Sequence, residues 1–272
     1  MILNMCILRT LRKAIAVWVA ATVLTTPTGV ARADGFSIFL PVVLRPNGCP
    51  TASAERYDLI AIGGGNYKDN RLTDENADLR LSVLGYAPTS APLSLVDYNG
   101  DTDPLAPKLH GIFEPNRTPV FARAYKRHDW NWNESAPPPY GSRGGVNNDW
   151  PVSVIDLEAA AGEGVYIPER GPTIGGGFNA MVLYAGEEEL TLAYYRQDNV
   201  VEGYLIHMAN FCVDPNLVAL YRAQTSGGKR STGSLPGLSN NQPIGTARTG
   251  IVTVAVRDRG GYLDPRSRKD WW

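Results

Sequence analysis

A mostly β fold is predicted for this chain of 272 residues by three observations. Glycine and proline are abundant, at 28 and 20 residues, and both divide a chain into short elements joined by turns. Several segments alternate apolar and polar residues with the period of two that half-buried strands show. Helical periodicity is confined to one short stretch, "DPNLVALYRAQTS", where Leu217, Leu220 and Tyr221 fall at i, i+3 and i+4 after an Asp-Pro start.

Residues 1–33 read as an export signal. Arg9, Arg12 and Lys13 precede the apolar run "AIAVWVAATVL", and Ala31-Arg32-Ala33 offers a small-residue cleavage site. The run is shorter than the ~20 residues of a membrane-spanning helix, and no later stretch approaches that length. The mature chain is therefore expected to begin at Asp34, secreted or at the cell surface with no membrane span; a leader retained as an anchor is the alternative. The formal charge of −1 becomes more negative without the leader, which holds Arg9, Arg12, Lys13 and Arg32 and no acidic residue. A mildly acidic surface argues against nucleic-acid or anionic-membrane partners, because counterion-release binding needs a basic face.

Cys6 lies in the leader, so Cys49 and Cys212 remain. In an exported chain two cysteines are expected to form one disulfide, with two buried thiols as the alternative. Strand-like segments follow: "FSIFLPVVLRP", "ADLRLSVLGY" (Ala77–Tyr86), "PLSLVDY" and "TPVFARAY". The polar stretch "KRHDWNWNESAPPPYGSRGGVNND" reads as a long loop and places a boundary near residue 150, between an N-terminal β-rich region (34–150) and a C-terminal domain (151–272). Beyond it "VSVIDLEA", "FNAMVLYAG", "ELTLAYYR", "VEGYLIHMA" and "GIVTVAVRD" read as regular strands. In the last, Ile251, Thr253 and Ala255 alternate with Val252, Val254 and Val256, a pattern expected of a strand buried on both sides.

Motifs with chemical meaning are few. "YDLIAIGGGNYKDN" has Gly63 and Gly65, but Lys68 stands at the third position of a dinucleotide fingerprint, so it reads as a glycine turn after a buried strand. Asp97, Asn99, Asp101 and Asp103 alternate as oxygen ligands around calcium can, yet Thr102 and Lys108 occupy positions where an EF-hand loop needs Gly and Glu. A polar turn is the first reading and a calcium site the second; no other cofactor is expected. His110, His128 and His207 show no metal-ligand spacing, and His207, alternating with Leu205, reads as a hydrogen-bonded structural residue. No G-x-S-x-G marks a nucleophilic serine. Asp156, Glu158 and Glu163 lie close in sequence, without the separation a glycosidase pair would need being readable. "HDWNWN" places Trp130 and Trp132 on one face of an extended segment and Asp129 and Asn131 on the other, an arrangement able to stack on sugars or plug a small core. Asn116-Arg-Thr118 and Asn133-Glu-Ser135 are glycosylation sequons.

Residues 165–265 resemble the β-barrel domain of the lysostaphin-like zinc metallopeptidases, which cleave peptide cross-links of bacterial cell walls. The resemblance is carried by "MVLYAGEEELTLAYYRQDNVVEGYLIHMANF", "LPGLSNNQPIGTA" and "TGIVTVAVRDRGGYLDP". It implies a small antiparallel barrel of the barrel-sandwich type. The family's first ligand pair would fall in "ERGPTIGGGFNA", which has no His, and its H-x-H on the strand after Thr249-Gly250, where Ile251, Val252, Thr253 and Val254 offer no imidazole. No catalytic residue is carried over. The whole mature chain also resembles a family of uncharacterised secreted bacterial proteins in "FLPVVLRP", "ENADLRLSVLGY", "HDWNWN", "CVDPNLVALY" and "DPRSRKDWW". The expectation is a secreted, non-catalytic binding or scaffolding protein with a degenerate peptidase-like domain, its partner a cell-wall glycan or peptide. An active cell-wall or glycan hydrolase and a carbohydrate-binding module centred on Trp130, Trp132 and Asp129 are the alternatives.

Overall fold

The computed structural model of the protein describes residues 31–33, 36–38, 48–64 and 71–272. Nearly all of the expected leader and most of "FSIFLPVVLRP" lie outside them. The chain forms two compact units, Met1–Val42 and Val43–Trp272. In the first, Ala31–Ala33 pairs antiparallel with Phe36–Ile38.

The second unit is built on an antiparallel sheet of eleven strands, and the chain is mostly β. The strands are β1 (Asp58–Ala61), β2 (Tyr86–Pro88), β3 (Phe121–Trp132), β4 (Gly141–Val146), β5 (Val154–Glu158), β6 (Ala180–Ala185), β7 (Glu189–Ala193), β8 (Tyr204–Ala209), β9 (Ser234–Leu238), β10 (Ile251–Asp258) and β11 (Gly261–Leu263). Neighbours run β1-β9-β6-β7-β8-β10-β5-β3-β2, with β4 beside β3 and β11 beside β10. The small barrel was expected within residues 151–272; the sheet also takes in β1, β2, β3 and β4, and no closed barrel is found among the described residues. A second sheet joins Phe211–Val213, Pro243–Ala247 and Gly164–Tyr166. Residue 150 lies between β3 and β5, which are direct neighbours in one sheet.

The five strands predicted after residue 150 are present, as β5, β6, β7, β8 and β10, while β9, β11 and the strands of the second sheet were not foreseen; the earlier segments differ more. Ala77–Tyr86 contains a helical turn, α1 (Leu81–Leu84), and only Tyr86 enters a strand. Ala77, Leu81 and Leu84 are all buried; their i, i+4, i+7 spacing is helical and coexists in the sequence with the alternation of Leu79, Leu81 and Val83. "PLSLVDY" contributes one isolated bridge, Val96 to Ser267, and no strand. The expected polar loop is mostly a hairpin, because β3 runs on through Trp132 and pairs with β4. The predicted helix is α2 (Pro215–Arg222), with Asp214 Oδ1 accepting from the amides of Asn216 and Leu217. Its buried stripe is Leu217, Val218 and Tyr221 rather than Leu217, Leu220 and Tyr221. A further short helix, α3 (Arg268–Trp271), seats Trp271 in the core. Among the described residues no helix is long and apolar enough to cross a membrane.

Register places two unlike faces on the centre of the sheet. Asp156, Thr253, Ala209 and Glu189 lie directly opposite one another across β5, β10, β8 and β7. Ala255, His207 and Thr191 form the next row on that face. The other face carries Ile155, Leu157, Val252, Val254, Val256, Ile206, Met208, Leu190 and Leu192, all in the main core. Since side chains alternate strictly, a one-residue slip would exchange the faces and bury the charges in the main core. The polar face is buried as well, under a smaller core of Ala77, Leu81, Leu84, Val154, Ala255 and Tyr262. β10 is thus buried on both sides, as its composition predicted.

Cys49 and Cys212 form the expected disulfide, closing a sequence separation of 163 residues with their Cα atoms 5.3 Å apart. Closing so long a loop restricts the unfolded chain strongly. Replacing both cysteines by serine is expected to lower unfolding free energy by about 2–5 kcal/mol, measured by urea denaturation; an unchanged midpoint would show that the bridge contributes nothing to stability.

Candidate functional site

The β3–β4 hairpin projects the two tryptophans predicted as a binding pair. Trp130 is half-buried against the smaller core, while Trp132 is 39% exposed, and their rings meet edge to face at 6.0 Å. Trp132 pairs with Gly141, whose φ of 148° and close approach exclude a side chain: a Cβ there would lie 2.7 Å from Trp130 Nε1 and nearer still to Asn131 O. Two residues along β4, the Arg143 side chain passes over Gly85, whose φ is 79°. Its guanidinium donates to the carbonyls of Leu84, Val83 and Ser82 at 3.0–3.3 Å, satisfying the last turn of α1 and clamping it to β4.

The opposite wall comes from the β10–β11 hairpin. Arg259 and Gly260 have φ of 45° and 86°, the two positive values that a tight two-residue hairpin turn needs. The turn sets Tyr262 opposite Arg257. Arg257 reaches Asp78 at 3.3 Å and donates to Gly260 O at 2.8 Å. The guanidinium groups of Arg257 and Arg127 lie 4.8 and 5.0 Å from the centre of the Tyr262 ring, positions at which a cation is drawn to the aromatic face. Arg127 is itself bound to Asp129 at 3.0 Å, and Asn147 Nδ2 donates to the same carboxylate at 3.0 Å.

These walls enclose a cleft of about 420 Å³, lined by Trp130, Trp132, Tyr262, Arg127, Arg257 and Asp78 and completed by Asp129, Asn131 and the α1 segment. Arg71 lies 4.0 Å above the Trp132 ring and 3.8 Å from Asp78. Three buried polar atoms of the lining, Arg127 Nε, Trp130 Nε1 and Tyr262 OH, have no hydrogen-bond partner within the protein. A buried donor left in that state costs about 1–3 kcal/mol.

Beneath Tyr262 lies His207, 1% exposed, its ring stacked on the tyrosine at 5.7 Å. Thr191 Oγ1 donates to Leu79 O, so His207 Nδ1 must carry the proton it shares with Thr191 at 2.9 Å. The imidazole Nε2 is buried without a hydrogen-bond partner in the protein. Burial, reinforced by Arg257, holds its pKa well below the usual histidine value. Further along the same face Asp156 accepts from Thr253 Oγ1, Tyr125 OH at 2.8 Å and Arg123 Nε at 3.0 Å. Asn210 Nδ2 donates to Thr253 Oγ1 at 2.7 Å. Glu189 accepts from Arg80 Nε, Ser82 N and Ser82 Oγ. Both carboxylates are held by several donors, and this row binds the sheet to its cover.

No family model, curated protein or solved structure matches the chain. The cleft rests on its own geometry.

The structure brings Trp130, Trp132 and Asp129 together, and separates the other sequence-selected residues. The three histidines do not converge: His110 lies 3.7 Å from Glu169, His128 Nδ1 meets Gly144 O at 3.0 Å, and His207 is bound to Thr191. The calcium-spaced residues turn to different partners. Asp97 binds Arg268, Asp101 O accepts from Lys269, and Asp103 accepts from Leu105 N and Tyr204 OH. Among the described residues no group of three or more His, Cys, Asp and Glu side chains is placed to hold a metal ion. Glu163 pairs with Arg117, while Asp156 is bound to Thr253, Tyr125 and Arg123. Sequence reasoning missed Arg127, Arg257, Asp78 and Tyr262. The "DRGG" turn was the available signal for Tyr262, since a tight turn there fixes which residue faces Arg257.

His207 makes stability depend on pH. Its folded pKa is depressed, so its contribution is complete above the unfolded value of about 6.5 and is lost as pH falls from there toward the folded pKa. The loss therefore sets in as the pH falls below about 6.5. As the pH drops below that value, urea midpoints of the His207→Gln protein are expected to fall less than those of the unchanged protein; parallel curves would exclude His207 as the source.

Proposed function

We propose that this is a secreted, non-catalytic binding protein of the cell surface that holds a saccharide chain in the cleft beside Trp130 and Trp132. The observation that carries this reading is the exposed Trp132 ring, set edge to face with Trp130 and flanked by Asp129, Asn131 and Arg127 in one cleft. A pyranose presents C–H faces that stack on the negative face of an aromatic ring, and hydroxyl edges that need planar donors and acceptors such as guanidinium, carboxylate and amide. The cleft offers both kinds of surface side by side. Its polar groups are held in place by Asp129, Asp78 and the Gly260 carbonyl, so little ordering remains to be done on binding.

Export is supported by the leader-like residues 1–33 and by the Cys49–Cys212 bridge, a cross-link that persists in oxidising compartments. The resemblance of residues 165–265 to the lysostaphin-like peptidases supports a wall-associated module. On the strand where those enzymes carry imidazoles, this chain has Thr253, whose hydroxyl is given to Asp156. The remaining capacity of that carboxylate is used by Tyr125 and Arg123. Burial and the bond to Asp156 raise the Tyr125 pKa, keeping its hydroxyl protonated as a donor. The arrangement supports a structural rather than a catalytic part for Asp156.

Pull-down on insoluble cell-wall polysaccharide and peptidoglycan tests the reading. The protein is expected to be retained without release of soluble fragments. Trp132→Ala is expected to weaken retention about ten-fold while leaving the thermal midpoint within about 2 °C, since that ring is largely outside the core. Trp130→Ala should weaken retention and also lower the midpoint. Release of soluble fragments would overturn the non-catalytic reading; undiminished retention of Trp132→Ala would overturn the cleft.

A further inference from the structure

We infer that the cleft selects a saccharide bearing carboxylate groups, a step that rests on the saccharide reading above. The three buried lining atoms without a partner are an Arg127 Nε–H, a Trp130 Nε1–H and the Tyr262 hydroxyl. The first two are donors only, and the third can donate. Tyr262 is 8% exposed, its ring packed on His207 and beside the two arginines, of which Arg257 also acts on its hydroxyl.

The acceptors near these donors are already engaged. Asp129 takes bonds from Arg127 and Asn147, and Asp78 pairs with Arg257 and Arg71. Asp149, at the exposed rim, lies 3.7 Å from Arg127. The cleft is thus nearly balanced in charge, and its unmet demand is for acceptors. A sugar hydroxyl brings a donor with every acceptor, and its proton then needs an acceptor of its own. A carboxylate is acceptor-only, with two oxygens and about four lone-pair sites, and its hydrogen bonds are charge-assisted. A uronate or a carboxyl-substituted hexosamine meets the demand while keeping a ring face for Trp132.

Affinity electrophoresis of the full chain tests this with three probes: polygalacturonate, the same polymer with its carboxyls reduced to alcohols, and poly-L-glutamate. Polygalacturonate is expected to bind at least ten-fold more tightly than either of the others. Tyr262→Phe keeps the ring and removes only the hydroxyl, so it should weaken polygalacturonate binding about ten-fold, leave the reduced polymer unaffected and keep the thermal midpoint. Trp130→Phe, which removes the indole N–H while keeping an aromatic ring, should act in the same direction. Equal binding of the reduced polymer would overturn the carboxylate selection and leave the saccharide reading standing. Equal binding of poly-L-glutamate would show an acidic-polymer site with no preference for sugar and overturn both, as would retention of none of the three. Full affinity in both variants would overturn the role of the unpartnered donors.

Discussion

The structure depends on one constraint: its central sheet is buried on both faces, and one of those faces is polar. Strands β7, β8, β10 and β5 bring Glu189, Thr191, His207, Thr253 and Asp156 onto that side. Ionised and hydroxyl groups out of water must be hydrogen-bonded, or they cost more than the apolar burial around them returns. The cover over that face is accordingly a segment that brings partners with it. Arg80 and Ser82 meet Glu189, Leu79 O meets the Thr191 hydroxyl, and Asp78 meets Arg257. The α1 turn is held by these bonds together with Leu81 and Leu84 beneath it.

The cleft is a consequence of how that cover ends. The α1 turn, the β3–β4 hairpin and the β10–β11 hairpin meet above Tyr262 without closing over it. Each wall is fixed by a feature independent of any ligand: Arg143 on the α1 carbonyls, Gly141 under Trp130, and the Arg259-Gly260 turn behind Arg257. A pocket whose walls are set in this way keeps its shape when empty, and such preorganisation reduces the ordering cost of binding. The same rigidity leaves three buried donors of the lining without a partner in the protein.

Much of the fold was legible in the sequence. Strands β5, β6, β7, β8 and β10 were predicted because their alternation or continuous apolarity has one reading, and Asp214-Pro215 marked the start of α2 through simple capping chemistry. The Cys49–Cys212 bridge followed from there being two cysteines left to pair. Ala77–Tyr86 was misread because its leucines fit a period of two and a helical turn equally well over so short a span. The β3–β4 hairpin was hidden by its polarity: a two-stranded extension with little apolar alternation is composed much like a loop.

The candidate site divides along the same line. The pairing of Trp130 with Trp132 was determined by the sequence itself, because residues two apart on an extended chain must share a face. Asp129 and Asn131, expected on the other face, line the same cleft in the structure. That Tyr262, Arg257 and Asp78 join them from positions far away in the chain was decided only by the tertiary structure. Cross-strand register and the meeting of separate hairpins depend on the energy of the whole core, and no local pattern of residues records where two distant turns will come together. The sequence determined which groups could recognise a ligand; the fold decided which of them face the same space.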